Sequence, residues 1–96
     1  MIEIVTFSLR DGLDDVEEFL AADARVQAQF AYQQAGLVRR TTARSADGRW
    51  LVLTLWGSAA DADRAAIAAT SDSTVSTFES FIDPSSRRTE RFEALD

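Results

Sequence analysis

The sequence contains no cysteine and no histidine, and these two absences exclude several kinds of site. Without cysteine the chain can form neither a disulfide nor a thiolate metal site. Without histidine it lacks the commonest general base, the commonest transition-metal ligand and the usual haem ligand. Any metal site would need carboxylates, and no spacing of Asp and Glu resembles a calcium-binding loop. We therefore expect no metal and no cofactor.

Positive charge is also scarce. All ten basic residues are arginines, and sixteen acidic residues give a net charge of −6. Such a domain lacks the positive field that supplies most nucleic-acid affinity, so we expect no nucleic-acid partner. Met1 leads directly into an apolar strand pattern, with no basic segment and no long apolar run. The sequence thus predicts neither a signal peptide nor a membrane span, and favours a cytoplasmic location.

The 96 residues are expected to form one domain spanning positions 1–96, because two separate cores would not fit in this length. A chain this short buries only about 60–65% of the surface that its unfolded form exposes, so the core must be thin. Oligomerisation is one of the few remaining ways to gain stability.

The hydrophobic pattern predicts six main elements in the order β-α-β-β-α-β. The strands are expected at Ile2–Leu9, Leu37–Arg44, Trp50–Trp56 and Arg87–Leu95. Asp47-Gly48 predicts a hairpin between the second and third strands. The order is that of a ferredoxin-like α+β fold, and right-handed crossovers place the first and third strands at the centre of the sheet.

Capping signals bound the predicted helices. The first helix is expected over about Asp15–Gln34, after a capping-box-like pair of Asp14 and Glu17 and before Gly36 at a C′ position. An alanine-rich second helix is expected from Ser58 to about Thr70. A further short helical segment carries Val75, Phe78, Phe81 and Ile82 and stops at Asp83-Pro84.

Arginines cluster on the two strands expected at the sheet edges. They are Arg39, Arg40 and Arg44 on one edge, and Arg87, Arg88 and Arg91 on the other. Solvated charge on an edge strand protects it from pairing with other chains. An anion-binding rim or a zone of dimer salt bridges is the alternative interpretation.

The third strand is apolar on both faces. Period 2 places Trp50, Val52, Thr54 and Trp56 on one face and Leu51, Leu53 and Leu55 on the other. A four-stranded sheet covered by helices on one side should show a polar second face, and this strand shows none. A second copy of the same sheet is the simplest cover, so the sequence predicts a homodimer that pairs through its sheets.

A few residues of this pattern are candidates for binding or catalysis. Trp56, Thr54 and Val52 share one strand face and, with Phe19 from the apolar stripe of the first helix, are the candidate ligand-binding residues. Asp23 lies beside that stripe, where a carboxylate holds its proton more tightly unless it is paired, which suits a general base. Asp23 is a candidate for this role, and the alternative is a boundary position reaching water, Gln27 or Arg25.

Several of these segments together resemble a known family. Ile4-Val5-Thr6-Phe7, Ala35-Gly36-Leu37, Ala46-Asp47-Gly48 and Trp56 with Ser58 are similar to segments of the antibiotic-biosynthesis-monooxygenase-like domains. The resemblance runs from the first strand to Asp83-Pro84. It implies a dimeric α/β barrel with a pocket in each subunit between helices and sheet, and Trp56 in the pocket wall.

The resemblance also bears on activity. The family includes cofactor-free oxygenases of polycyclic phenols, haem-degrading enzymes and domains without known activity. The haem degraders use a histidine that this chain lacks. Val52, Ala62 and Ser76 stand where the phenol oxygenases carry an asparagine, a tyrosine and an arginine, so Trp56 alone remains of that set, as a candidate catalytic residue.

Three functional hypotheses follow. The first is a small-molecule protein with cofactor-free monooxygenase-like activity on a flat aromatic or phenolic compound, and it predicts an internal cavity on the Trp56 face. The second is a non-catalytic dimeric domain for ligand binding or interaction, with a filled or shallow pocket. The third is an RNA-binding domain of the same strand order, against which the net charge of −6 argues.

Overall fold

Four strands and three helices form the chain in a computed structural model that describes residues 1–11 and 16–96. The elements in chain order are β1 (Ile2–Phe7), α1 (Val16–Gln29), β2 (Leu37–Arg44), β3 (Trp50–Trp56), α2 (Ala59–Ala69), α3 (Ser73–Glu79) and β4 (Arg88–Phe92). The sheet is antiparallel with the strand order β2-β3-β1-β4. This confirms the ferredoxin-like α+β fold and the central place of the first and third strands.

The bounds of β2 and β3 are those predicted, whereas β1 and β4 are shorter. β4 stops at Phe92 because Phe92 faces Ile2, the first residue of β1, so residues beyond it have no strand to pair with. β1 stops at Phe7 because the chain then pairs with the segment after α3. Leu9 forms an isolated bridge with Ile82, and the Arg10 amide donates to the Phe81 carbonyl at 2.9 Å.

The first helix ends at Gln29, and its predicted extension to Gln34 is wrong. The chain tightens into a 3-10 turn at Ala31–Gln33, a common way to satisfy carbonyls at a helix end. Gly36 follows this turn with φ of +85°, a conformation that favours glycine. At the other end of the helix, the expected capping pair involves Asp14, which lies outside the described residues.

Caps fix the two later helices. The Ser58 hydroxyl accepts a hydrogen bond from the Asp61 amide at 3.1 Å, which confirms the predicted start of α2. Asp72 caps α3 by accepting from the amides of Thr74 and Val75. The last helical segment is shorter than predicted, because Ile82 leaves it to form the bridge with Leu9.

The core lies between the helices and one face of the sheet. Phe7 and Phe19 are fully buried at 0% exposure. The ring of Phe19 contacts four other aromatic rings, with centroid distances of 4.8–6.0 Å, which belong to Phe7, Trp50, Phe78 and Phe81. A second, smaller cluster contains Trp56, Ala62 and Ala65.

The opposite face of the sheet carries apolar side chains that none of the described helices covers. Along β3 the residues alternate between buried and half-buried, which confirms the predicted division into two faces. The strand register places five apolar residues together on the half-buried face: Ile2, Ile4, Leu51, Leu53 and Leu55. We call these five residues the open sheet face.

Within the described residues, no helix has the length and apolar character needed to cross a bilayer.

The central position of Phe19 generates a stability prediction. We expect Phe19→Ala to lower the free energy of unfolding by about 3–5 kcal/mol, because the substitution removes a ring at the centre of the aromatic cluster. Leu20→Ala is the matched control, since Leu20 is 44% exposed and its truncation should cost less than about 1 kcal/mol. Urea denaturation followed by circular dichroism measures both, and equal losses would contradict this description of the core.

Candidate functional site

A cavity of about 200 Å³ lies between the helix-covered face of the sheet and the three helices, partly open to solvent. Its floor is formed by side chains of β1, β2 and β3, and its walls by α2, α3 and the end of α1. The apolar part of the lining includes Val5, Phe7, Val26, Val52, Trp56, Ala65, Phe78 and Ile82. The cavity thus has the mainly apolar wall and few polar groups that are typical of small-molecule sites.

The small side chains of α2 leave this space open. Ala62, Ala65, Ala66 and Ala69 recur at helical spacing on the helix face that lines the cavity. Alanine reaches only a short distance toward the sheet, so the volume between α2 and β3 stays unfilled. The cavity is lined by members of both the aromatic core around Phe19 and the small cluster that contains Trp56.

The indole N–H of Trp56 is buried without a hydrogen-bond partner among the described residues. Trp56 is 7% exposed and lines the cavity. A buried donor that forms no hydrogen bond costs about 1–3 kcal/mol, and native proteins rarely tolerate one without a reason. This N–H has almost no accessible surface, so a ligand oxygen in the cavity would reach it only after a small shift of the indole or its neighbours.

Polar side chains cross the same sheet face in one row. The register places Arg91 opposite Glu3, Glu3 opposite Thr54, and Thr54 opposite Arg40. Glu3, Thr54 and Arg40 line the cavity. Thr54 and Arg40 are 8% and 7% exposed, which is unusual burial for polar residues in so thin a core. We call these four residues the polar row.

Arg40 is held by three side chains. Its Nη2 donates to Oδ1 of Asp23 at 2.8 Å, and its Nη1 lies 3.3 Å from Oε1 of Gln27 and 3.5 Å from Oγ1 of Thr42. The guanidinium carbon lies 5.6 Å from the centre of the Phe78 ring, in a cation–π arrangement. Asp23 also accepts a hydrogen bond from the Thr42 hydroxyl at 2.9 Å, so its Oδ1 serves two donors.

Tyr32 fixes the backbone of Arg40 from the outer edge of the sheet. Its hydroxyl accepts from the Arg40 amide at 3.0 Å and donates to the Arg40 carbonyl at 3.4 Å. A phenol therefore satisfies both backbone groups that an edge strand would leave unpaired at this position. The side chain of Arg40 is thereby directed from a fixed point toward the cavity.

The carboxylates that line the cavity, Glu3 and Glu79, are each paired with an arginine. Glu79 pairs with Arg87 at 3.1 Å near the surface, and both line the cavity. Glu3 accepts from Arg91 at 2.9 Å. Hydrogen bonds to Asp63 and then to Glu3 raise the pKa of the Arg91 guanidinium, so Arg91 stays charged over the physiological range. In the described part of the chain, no group of three acidic side chains is arranged to hold a metal ion.

Solved structures share this architecture. SnoaB, a cofactor-independent oxygenase from Streptomyces nogalater, in a mutant form, matches 99% of this chain and 92% of its own, with a TM-score of 0.78 and 20% identity. The match to a proposed antibiotic biosynthesis monooxygenase from Nitrosomonas europaea covers 99% of this chain and 98% of that protein, with a TM-score of 0.71 and 20% identity. The match to an antibiotic biosynthesis monooxygenase covers 100% of both chains, with a TM-score of 0.75 and 9% identity.

The fold is that of the antibiotic-biosynthesis-monooxygenase-like proteins. At 20% identity or less, these likenesses establish the architecture, and the site must be interpreted from the residues of this chain. No protein-family model and no curated protein matches the sequence.

Within the monooxygenase-like fold, the candidate residues from the sequence fall into two groups. Trp56, Thr54 and Val52 lie together in the cavity lining. Phe19 lies outside that lining, at the centre of the aromatic core. Asp23 also lies outside it, behind Arg40, and pairs with Arg40 instead of Gln27 or Arg25.

Sequence reasoning missed Arg40 and Glu3 as cavity residues. Of the two interpretations of the edge arginines, solvated charge is wrong for Arg40, because α1 covers that part of β2 and supplies Asp23 as a partner. Arg39 and Arg44 are exposed as expected. Period 2 could have indicated the polar row, since it places Arg40 and Thr42 on the face opposite to Arg39.

The ion pair of Arg40 and Asp23 generates the next prediction. We expect Asp23→Ala to lower the free energy of unfolding by about 3–5 kcal/mol, because the buried guanidinium loses its countercharge. Asp63→Ala is the matched control, since the pair of Asp63 with Arg91 is exposed and should contribute less than about 1 kcal/mol. Denaturant unfolding measures both variants. An Asp23→Ala protein as stable as the control would show that Arg40 does not depend on Asp23.

Proposed function

We propose that this protein binds a small, flat aromatic or phenolic compound in the cavity beside Trp56, and that it acts on the compound as a monooxygenase without a cofactor. The unpaired indole N–H of Trp56 beside an apolar cavity is the observation that carries the proposal. A donor in this position suits a carbonyl or phenol oxygen on an otherwise apolar ligand. The shared fold with a cofactor-independent oxygenase supports the reaction class.

The size of the cavity limits the ligand. An apolar cavity of about 150 Å³ accommodates benzene. The cavity here has about 200 Å³ and is partly open, which favours one or two fused rings. An aromatic ring in it would lie among Val52, Phe78 and the alanines of α2, with its oxygen substituent toward Trp56 and Thr54.

In a cofactor-free oxygenation the protein mainly positions an electron-rich substrate, stabilises its anion and excludes water. Trp56 is the candidate catalytic residue in this proposal, because it lines the cavity and has a donor to offer. Asp23 does not line the cavity, and its Oδ1 is occupied by Arg40 and Thr42. We therefore assign Asp23 the role of a positioning residue for Arg40.

Fluorescence of single-tryptophan variants tests the binding site. The chain has two tryptophans, and Trp50 does not line the cavity. With phenol, 2-naphthol, anthrones and quinones as ligands, we expect saturable quenching in Trp50→Phe, which keeps Trp56, and little in Trp56→Phe. We expect the strongest binding from the two-ring compounds.

A cavity-filling variant serves as the control for that titration. Ala65→Leu places a larger apolar side chain in the cavity wall, so it should abolish the quenching while leaving the free energy of unfolding unchanged or higher. Quenching that persists in a stable Ala65→Leu protein would place the ligand elsewhere. Absence of saturable quenching with every compound would contradict the proposal.

A non-catalytic ligand-binding or interaction domain is the second candidate. Val52 and Ala62 favour it, because both are apolar where the family resemblance implies an asparagine and a tyrosine. Oxygen uptake with a compound that quenches Trp56 separates the two candidates. Oxygen uptake proportional to the protein concentration supports the monooxygenase, and tight binding without oxygen uptake supports the binding domain.

We further propose that the protein is a homodimer through the open sheet face and that it is cytoplasmic. Ile2, Ile4, Leu51, Leu53 and Leu55 form a continuous apolar surface in the centre of the sheet. Burying such a surface is favourable at about 25 cal/mol per Å². A second copy is the natural partner, since twofold pairing dominates among homo-oligomers.

Light scattering after size exclusion tests the dimer. We expect twice the chain mass for the wild type and a monomer for Leu53→Glu, because a carboxylate at the centre of the interface would be buried without a partner. Ile67→Glu is the matched control, since Ile67 is 73% exposed on α2, on the other side of the molecule. A wild-type protein that elutes as a monomer at all concentrations would contradict the proposed dimer.

A further inference from the structure

Arg40 has hydrogen-bonding capacity that the protein does not use. A guanidinium offers five N–H donors in a planar fork. Only Nη2 has a short contact to a carboxylate, and it reaches a single oxygen of Asp23. The contacts of Nη1 to Gln27 and Thr42 are long, at 3.3 and 3.5 Å, and among the described residues Nε has no hydrogen-bond partner. The ion pair is therefore monodentate, and the guanidinium can donate to a further acceptor oxygen.

The guanidinium is also rigidly held. Phe78 stacks against it, Tyr32 fixes its backbone, and Asp23 with Gln27 anchors it to α1. A group held in this way loses little conformational entropy when it binds a ligand, which is the basis of preorganised recognition. Arg40 lines the cavity next to Thr54, so a ligand that reaches Trp56 also comes near the guanidinium.

The other charges of the cavity do not compete for this role. Glu3 and Glu79 line the cavity, but each is already paired with another arginine, Glu3 with Arg91 and Glu79 with Arg87. Arg40 is thus the one cation of the lining that is nine-tenths buried. Charge-assisted hydrogen bonds are about twice as strong as neutral ones.

We propose that Arg40 recognises a carboxylate on the ligand, so that the compound bound in the cavity is an aromatic acid of one or two rings. The proposal rests on the proposed function, because it requires the cavity to be a ligand site. The ring lies against Val52, Phe78 and Trp56, and the carboxylate accepts hydrogen bonds from Arg40, with the Thr54 hydroxyl beside it. Arg40 is then the residue that selects acids over neutral aromatics.

Two ligands of nearly equal shape test this selection. Calorimetric titration at neutral pH compares 2-naphthoate with 2-naphthamide, which keeps the ring system and lacks the negative charge. We expect the wild type to bind 2-naphthoate at least about tenfold more tightly, as one charge-assisted hydrogen bond in a buried site can provide.

Variants assign the preference to Arg40. Arg40→Gln combined with Asp23→Asn removes both charges together, so no buried charge loses its partner, and we expect it to bind the two ligands about equally. Arg49→Gln is the matched control, since it removes the same charge at an exposed hairpin position and should keep the full preference. Should the double variant fail to fold, Arg40→Lys replaces it. Lysine keeps the charge and loses Nε and the planar fork, so the preference should fall several-fold.

The outcomes separate this inference from the proposed function. If neither ligand binds the wild type and no phenol or quinone quenches Trp56, the cavity is not a ligand site and the proposed function itself fails. If the wild type binds both naphthalene ligands equally, or prefers 2-naphthamide, the cavity is a site and the role of Arg40 is overturned. A preference for 2-naphthoate that survives unchanged in the double variant, or in Arg40→Lys, would overturn it as well.

Discussion

The burial of the Arg40 guanidinium is the constraint on which the rest of the site depends. A charged side chain can be buried in a thin core only if its N–H groups donate to acceptors and a counterion balances its charge. Asp23, Gln27 and Thr42 meet this need, and they tie the edge strand β2 to helix α1. The distance between α1 and the sheet is therefore set by an ion pair as well as by apolar packing, and the cavity lies beside this fixed point.

The second half of the site depends on small side chains. The alanines of α2 leave space above β3, and Trp56 borders this space with an indole N–H that finds no acceptor among the described residues. Filling the space with larger apolar residues would gain packing energy, so an open cavity beside an unsatisfied donor is costly for stability. Ligand binding provides a physical reason for both features, because an aromatic ring restores the packing and its oxygen accepts the hydrogen bond.

The sequence predicted the fold well because periodicity and capping act locally. The two-sided apolar pattern of β3, the Asp47-Gly48 hairpin and the Ser58 cap all have their predicted structure. Trp56, Thr54 and Val52 could be grouped as site residues because alternation along one strand fixes which side chains share a face. The errors at the ends of β1 and β4 arise from pairing between distant segments, which no local pattern reveals.

The role of Arg40 could not be predicted in the same way. Its burial depends on Asp23, which lies 17 residues earlier on another element, and on Tyr32 covering the outer edge of β2. Arginines on edge strands are usually solvated, so the general rule predicts an exposed Arg40 and not the buried one observed. The cavity itself is also a tertiary feature, since alanine at helical spacing indicates only a helix until its neighbours are known.

The most direct test of the central claim, that the cavity beside Trp56 is a ligand site, is a nitrogen–proton correlation spectrum of the two indole N–H groups. It should be recorded as 2-naphthol is added, with the Trp56 signal assigned by its loss in Trp56→Phe. We expect the Trp56 signal to move downfield and to saturate, as a free donor gains an acceptor, while the Trp50 signal stays nearly fixed. A Trp56 signal that does not move up to the solubility limit of 2-naphthol, or equal movement of both signals, would contradict the account.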